Sequence, residues 1–285
     1  MMKKRNYVLL MLAVVLTMAL AACGAKNESN NSGTGNGTTA GTANNGGESA
    51  EATLLDTIKK EGKIRFGTEG TYAPFTFHDN NGDLTGFDVE LAREVAKRLG
   101  VEAEFVETKW DGMFAGIDAK RFDVIANQVS INEDRLAKYD FSDPYIVSKA
   151  VLIVHEDNAD IKALPDLKGK KSGQSLTSNL TQIAKDNGAE IVQVDGFNQA
   201  IEMLISKRID ATINDGLSFL DFKKQKPNAP IKIVAETEDA SQSAFLFNKG
   251  NTELVQAVNE ALKAMKDDGT YLSISEKYFG ADVSK

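Results

Sequence analysis

The sequence predicts an α/β fold in two similar lobes, each a mainly parallel sheet flanked by helices. Two observations carry that prediction. From Thr53 to Lys285, short apolar runs of strand length alternate with stretches whose apolar residues recur at helical spacing. The alternation also repeats itself: Ala96-Lys97, Gly100 and Glu102 return 88 residues later as Ala184-Lys185, Gly188 and Glu190. Lys120-Arg121-Phe122-Asp123 with Asn127 returns 87 residues later as Lys207-Arg208-Ile209-Asp210 with Asn214. Composition agrees, since 42% hydrophobic and 26% charged residues exclude disorder throughout and allow a sizeable core. A formal net charge of -8 argues against a nucleic-acid surface, which needs many cationic phosphate contacts.

The chain opens with Lys3-Lys4-Arg5, an apolar run from Tyr7 to Leu20 interrupted only by Thr17, and the small residues Ala21 and Ala22. This reads as an export signal over 1–22. In helical form the run spans about 21 Å, short of the roughly 30 Å hydrocarbon core that a permanent span must cross. Its loss removes three cations and no acid, taking the net charge from -8 to -11. Leu20-Ala21-Ala22-Cys23, with the sequence's single cysteine, resembles the lipobox of bacterial lipoproteins. That resemblance implies a lipid on Cys23 and an anchor on the extracytoplasmic face of the cell membrane; an unpaired secreted thiol is the alternative. Residues 24–51 contain no Val, Ile, Leu, Met or aromatic residue. Such a stretch cannot bury enough surface to order itself, so 23–52 is expected to be the lipidated cysteine and a tether reaching on the order of 30 Å.

Taken in order, strands are expected at Ile64-Arg65-Phe66, Val101 to Val106, Val124-Ile125-Ala126, Ile191 to Val194 and Ala211-Thr212-Ile213. Asp88 to Leu99 is a helix stopped by Gly100, and Trp110 to Ala119 is another, with Trp110, Met113, Phe114 and Ile117 on one face. Ala150 to Val154 and Ala244 to Asn248 are apolar enough to be two hinge strands, giving one lobe over 53–149 and 248–285 and a second, with the hinge, over 150–247. In such sheets ligands collect beyond the carboxyl ends of the strands, here at Asn127-Gln128 and Asn214-Asp215, in a cleft between the lobes.

Enzyme signatures are sparse. The two histidines, His78 and His155, have neither a cysteine nearby nor an HExxH spacing, so no metal or other cofactor is implied. Asp79 to Glu90 has oxygen-bearing residues at calcium-loop positions, but Leu84 stands where the loop needs glycine, and a hairpin turn is the better reading. Gly33 to Gly37 lies in the tether with no strand before it, which excludes a phosphate loop.

Gly86-Phe87-Asp88-Val89-Glu90-Leu91, followed by Val95-Ala96 and Leu99, resembles the signature of the polar amino acid solute-binding proteins of ABC importers. The resemblance extends through Gly67 to Phe75, Arg135 and Tyr139 to Tyr145, and within the family Trp110 to Gly116, Arg121 to Gln128 and Gln174 to Asn179 are most similar to cystine-binding lipoproteins. It implies a two-lobed periplasmic-binding-protein-like fold of type II, a monomer that closes on an amino acid, L-cystine first, and delivers it to an ABC permease. Arg135 then matches the fork onto the ligand α-carboxylate, with Ser130 presenting amide and hydroxyl to the same group. Thr177 and Ser178 match a second-lobe loop at a helix start, and Asp215 matches the acid that receives the α-ammonium. Tyr72 and Trp110 match pocket-lining aromatics. Asn127, Gln128 and Gln174 offer uncharged hydrogen bonds to the ligand side chain, which points away from a fully charged one. The plainer roles are a solvated helix-end cation for Arg135, helix caps for Thr177, Ser178 and Asp215, and core for the two aromatics. An amino-acid dehydratase, with carboxylates such as Glu69 and Asp215, and a sensory module are the rival functions; a chain running to Lys285 without an output segment disfavours the second.

Overall fold

The computed structural model describes residues 52–285. The export signal, Cys23 and residues 24–51, with the expectations placed on them, lie outside the described residues. The first half of the chain forms α1 (Leu54–Glu61), β1 (Lys63–Thr68), β2 (Thr71–Tyr72), β3 (Thr76–His78), β4 (Leu84–Thr85), α2 (Phe87–Leu99), β5 (Glu102–Glu107), α3 (Trp110–Asp118), β6 (Val124–Ser130), α4 (Glu133–Leu136), β7 (Tyr139–Phe141) and β8 (Ile146–Ser148). The second half adds β9 (Ala150–His155), β10 (Lys171–Gln174), α5 (Asn179–Asp186), β11 (Glu190–Gln193), α6 (Phe197–Ile205), β12 (Ala211–Asp215), α7 (Gly216–Gln225), β13 (Ile231–Glu236), β14 (Ser241–Asn248), α8 (Thr252–Asp267) and α9 (Thr270–Phe279).

Two sheets dominate. One has the order β5-β1-β6-β14-β7, with β8 also on β14; the other has the order β11-β10-β12-β9-β13. In each, three strands run parallel and the next, β14 or β9, is antiparallel to them. The repeat in the sequence has a physical basis in this symmetry. After α3 and after α6 the chain turns through a lysine in the left-handed region, Lys120 at φ 57° and Lys207 at φ 56°, and the next amide bonds back to Gly116 O or Met203 O. Phe122 and Ile209 then cover glycines of the first parallel strand: a Cβ on Gly67 would stand 2.5 Å from the Phe122 ring, and one on Gly173 2.6 Å from Ile209 Cδ1. Finally, Asp123 accepts the Arg65 amide at 2.9 Å and Asp210 accepts the Lys171 amide at 2.7 Å. Each tetrapeptide therefore stops a helix, plugs a sheet and caps a strand.

The chain passes between the sheets at Lys149 and again between Glu236 and Ser241. The second passage precedes Ala244–Asn248, the run expected to form the hinge, because that run is interior to the first sheet. Ala244, Phe245, Leu246 and Phe247 are all fully buried, with Phe245 and Phe247 packed in one cluster and Leu246 in another with Met113 and Ile117. Burial on both faces makes a continuous apolar run without alternation. The Asp79–Asp83 segment is a hairpin turn between β3 and β4, closed by the Asp79 amide on Asp83 O at 2.9 Å.

Gly86, the residue before α2, has φ 125°, and a Cβ there would stand 2.2 Å from Phe75 O. Gly86→Ala is expected to cost more than about 2 kcal/mol through backbone strain and displacement of the β3 region. Urea unfolding of the variant beside the wild type checks this.

Candidate functional site

The carboxyl ends of the parallel strands in the two sheets face each other across a cleft whose cavity, mouth included, is about 600 Å³. From one lobe it is lined by Glu69, Tyr72, Trp110, Asn127, Gln128 and Ser130; from the other by Ser175, Ser178, Phe197, Asn214 and Asp215, among others. Asn127, Gln128 and Ser130 belong to the carboxyl end of β6 and Asn214 and Asp215 to that of β12, so the sheet ladders hold the polar residues at the cleft.

One pole is Arg135. Asn132 caps the short helix α4 by accepting the Arg135 amide at 2.9 Å, which fixes where the side chain starts. The guanidinium donates to Ser130 O at 2.8 Å and reaches Thr177 O, in the opposite lobe, at 3.5 Å. Its carbon lies 5.4 Å from the Trp110 ring centre and 5.2 Å from that of Phe114, an arrangement in which two π faces partly replace water. Arg135 is 7% exposed, and none of the ion pairs among the described residues includes it. Burial lowers its pKa to about 10, so it remains a cation at neutral pH. Arg135 does not itself line the cavity; it adjoins it through Ser130 and Trp110.

The other pole is Asp215, at the end of β12, 7% exposed. It caps α7 by accepting the Leu217 amide at 2.8 Å, and it accepts a hydrogen bond from the Ser148 hydroxyl. Burial raises its pKa, outweighing those donors. No ion pair among the described residues reaches it. Capping and cavity lining coexist here, as they do at Ser178, which caps α5 through the Leu180 amide at 3.2 Å.

Two of the expected contacts are directed elsewhere. Thr177 gives its amide, at 3.0 Å, and its hydroxyl, at 2.9 Å, to Asp111 of the opposite lobe. Gln174 is buried beneath the cleft and donates to Ser172 Oγ at 3.2 Å. Tyr72 lines the cavity and donates across the cleft to Asn214 Oδ1 at 2.8 Å. Asn198 Nδ2 on Thr71 O at 2.9 Å and Lys109 on Asp195 at 2.7 Å also join the lobes.

Glu69 was not expected among the binding residues. Its carboxylate accepts Asn127 Nδ2 at 2.7 Å, yet burial prevails and raises its pKa to about 7. The signal for it was its place directly after β1, at the same sheet edge as Asn127. Between about pH 4.5 and pH 7 the unfolded chain has released this proton while the folded one still holds it, so the group removes stability as pH rises through that window. Glu69→Gln has no proton to release. Its thermal midpoint is expected to gain on the wild type from pH 5 to pH 8, and scans at both pH values check this.

Comparison with known proteins adds a context. The pattern of the family described as bacterial extracellular solute-binding proteins, family 3, matches residues 64–281. The L-cystine-binding protein TcyA of Bacillus subtilis (strain 168) is 48% identical over 285 residues, the full length of both chains. Among solved structures, the L-cystine solute receptor of Neisseria gonorrhoeae in the unliganded open conformation is 48% identical, with 82% of this chain and 99% of that one covered, at a TM-score of 0.55. An ancestral arginine-binding protein bound to arginine is 43% identical, with 76% and 98% covered, at a TM-score of 0.73. The lower score belongs to the neighbour with more identical residues but an open conformation, as expected when two lobes differ by rotation about a hinge.

Proposed function

The chain belongs to family 3 of the bacterial extracellular solute-binding proteins, and on that premise we propose that it is the receptor of an ABC importer, capturing an amino acid, L-cystine foremost, between its lobes. The observation that carries this reading is the pair of buried, unpaired charges, Arg135 in one lobe and Asp215 in the other. An α-amino acid carries the complementary pair on one carbon, so a single small ligand can neutralise both once water is excluded.

Glu69 alters the expected side chain. The uncharged Asn127, Gln128 and Gln174 alone pointed away from a charged group, but a buried carboxyl beside Asn127 suits a further cationic donor. L-Cystine has one, the ammonium of its second half. The relatives' printed functions point the same way. A receptor rather than a catalyst is supported by the cavity, since the described residues that line it include no His, Cys or Lys and its two acids are held by fixed donors. Lipidation at Cys23 would place the receptor at the outer face of the membrane, with 24–51 as the tether, and the permease would read the closed form.

Calorimetry tests the site. Truncating one partner of a buried charge pair costs about 2 to 5 kcal/mol, so Arg135→Ala and Asp215→Asn should each weaken cystine binding by roughly 30- to several-thousand-fold. Asp215→Asn should lose less toward an analogue lacking the α-ammonium, and Arg135→Ala less toward one with an amidated carboxylate. Folded variants that both bind cystine within about threefold of wild type would refute the assignment.

The anchor has its own test. Cys23→Ser is expected to abolish incorporation of labelled fatty acid and to move the protein from the membrane pellet to the supernatant.

A further inference from the structure

The Gly86–Leu91 signature lies at the start of α2, and packing accounts for most of it. Phe87 meets Tyr271, Tyr278 and Phe279 edge-on, and Glu90 accepts the Tyr278 hydroxyl and Lys277 ammonium, both at 2.5 Å. Asp88 is different. It is 0% exposed, its Oδ1 has no hydrogen-bond partner, and its Oδ2 accepts the Gln128 amide and, at 3.0 Å, the Tyr145 hydroxyl. A buried carboxylate with one bare oxygen is a poor way to fill a core.

The residue it holds is equally unusual. Gln128 has φ 48°, a conformation disfavoured for any residue with a Cβ. At Lys120 and Lys207 the same conformation ends a helix, but Gln128 is inside β6. There the pairing with β14 slips, from Ala244 on Val129 to Leu246 on Ile125, which marks a bulge. The bulge brings Gln128 to the wall of the cavity that Asp215 of the other lobe also lines.

We propose that Asp88 is a positioning residue, whose buried carboxylate pins the Gln128 amide and so holds the bulge that aims Gln128 into the ligand cleft. The inference rests on the amino-acid-receptor reading for its effect on affinity, but its geometric part does not. The carboxylate sits in the first turn of α2, where the helix N-terminus favours negative charge; burial raises its pKa to about 7 against the lowering by the Gln128 amide and the Tyr145 hydroxyl.

The test uses Asp88→Ala, Asp88→Asn and Gln128→Gly. Asp88→Ala should weaken L-cystine binding by about ten- to a hundredfold, whereas Asp88→Asn, which keeps an oxygen for the amide, should stay within about threefold of wild type. Glycine adopts a positive φ freely, so in a Gln128→Gly background Asp88→Ala should add less than about threefold. In ligand-free protein, exchange of the Gln128 amide should be at least about tenfold faster in Asp88→Ala and unchanged in Asp88→Asn. Equal losses with and without Gln128→Gly would reduce Asp88 to a stability role and overturn the proposal. So would unchanged amide exchange, or a folded Asp88→Ala protein that binds within threefold of wild type. Should Asp88→Ala fail to fold, a folded Asp88→Asn protein with a loss above about tenfold overturns it, and one near wild type supports it. If wild type itself fails to bind cystine, the receptor reading falls, while amide exchange still decides the positioning role.

Discussion

The structure is organised around two charges that it cannot neutralise from its own side chains. Arg135 and Asp215 are both 7% exposed, and neither has a partner of opposite sign among the described residues. Each is held by neutral groups: Arg135 by Ser130 O and two aromatic faces, Asp215 by the Ser148 hydroxyl and the Leu217 amide of α7. Hydrogen bonds and π faces soften desolvation without cancelling charge. The folded chain therefore carries an electrostatic cost at two points, Asp215 lining the cavity and Arg135 beside it, which a guest bearing the opposite charges would relieve.

The duplicated half-sheets supply the rigidity this requires. Because the helix-stop, plug and strand-cap sequence recurs at 120–123 and 207–210, Asn127 and Asn214 leave equivalent positions at equivalent sheet edges. One faces Glu69 and the other meets Tyr72 across the cleft. The site is thus built from two copies of one local solution, and its specificity comes from what differs between them.

Much of this was legible in the sequence because it rests on local rules. Gly100 stops α2, Trp110 and its helical neighbours form a buried face, and the repeat anticipates the matching sheets. The resemblance to a family signature singles out Arg135 and Asp215, which periodicity alone leaves as a helix-end cation and a cap. What was not legible depends on non-local pairing. β10 is Lys-Ser-Gly-Gln, with no apolar or β-branched residue, and is a strand only because β11 and β12 pair with it and Ile209 covers Gly173. Likewise β14 looked like a crossing strand because its run is apolar throughout, a property that a strand buried on both faces shares. Sequence offers Glu69 only as a rival catalytic carboxylate, since its neighbours do not reveal which way the side chain will face, and it does not show that the Thr177 hydroxyl meets Asp111 in the other lobe.

The two passages between the sheets are themselves bonded together. Thr237 donates its amide to Ala150 O at 2.9 Å, the Ala150 amide reaches Thr237 Oγ1 at 3.2 Å, and Ser241 pairs with Ser148. A pair of linkers stitched side by side resists sliding and shear far more than it resists bending, so it leaves the lobes essentially one degree of freedom. Were the lobes to turn about these linkers, whatever filled the cleft would register outside it as a single angle, held wider by a longer or bulkier guest. Molecular length would become a rotation, measurable on the outer faces of the lobes by anything that grips both at once.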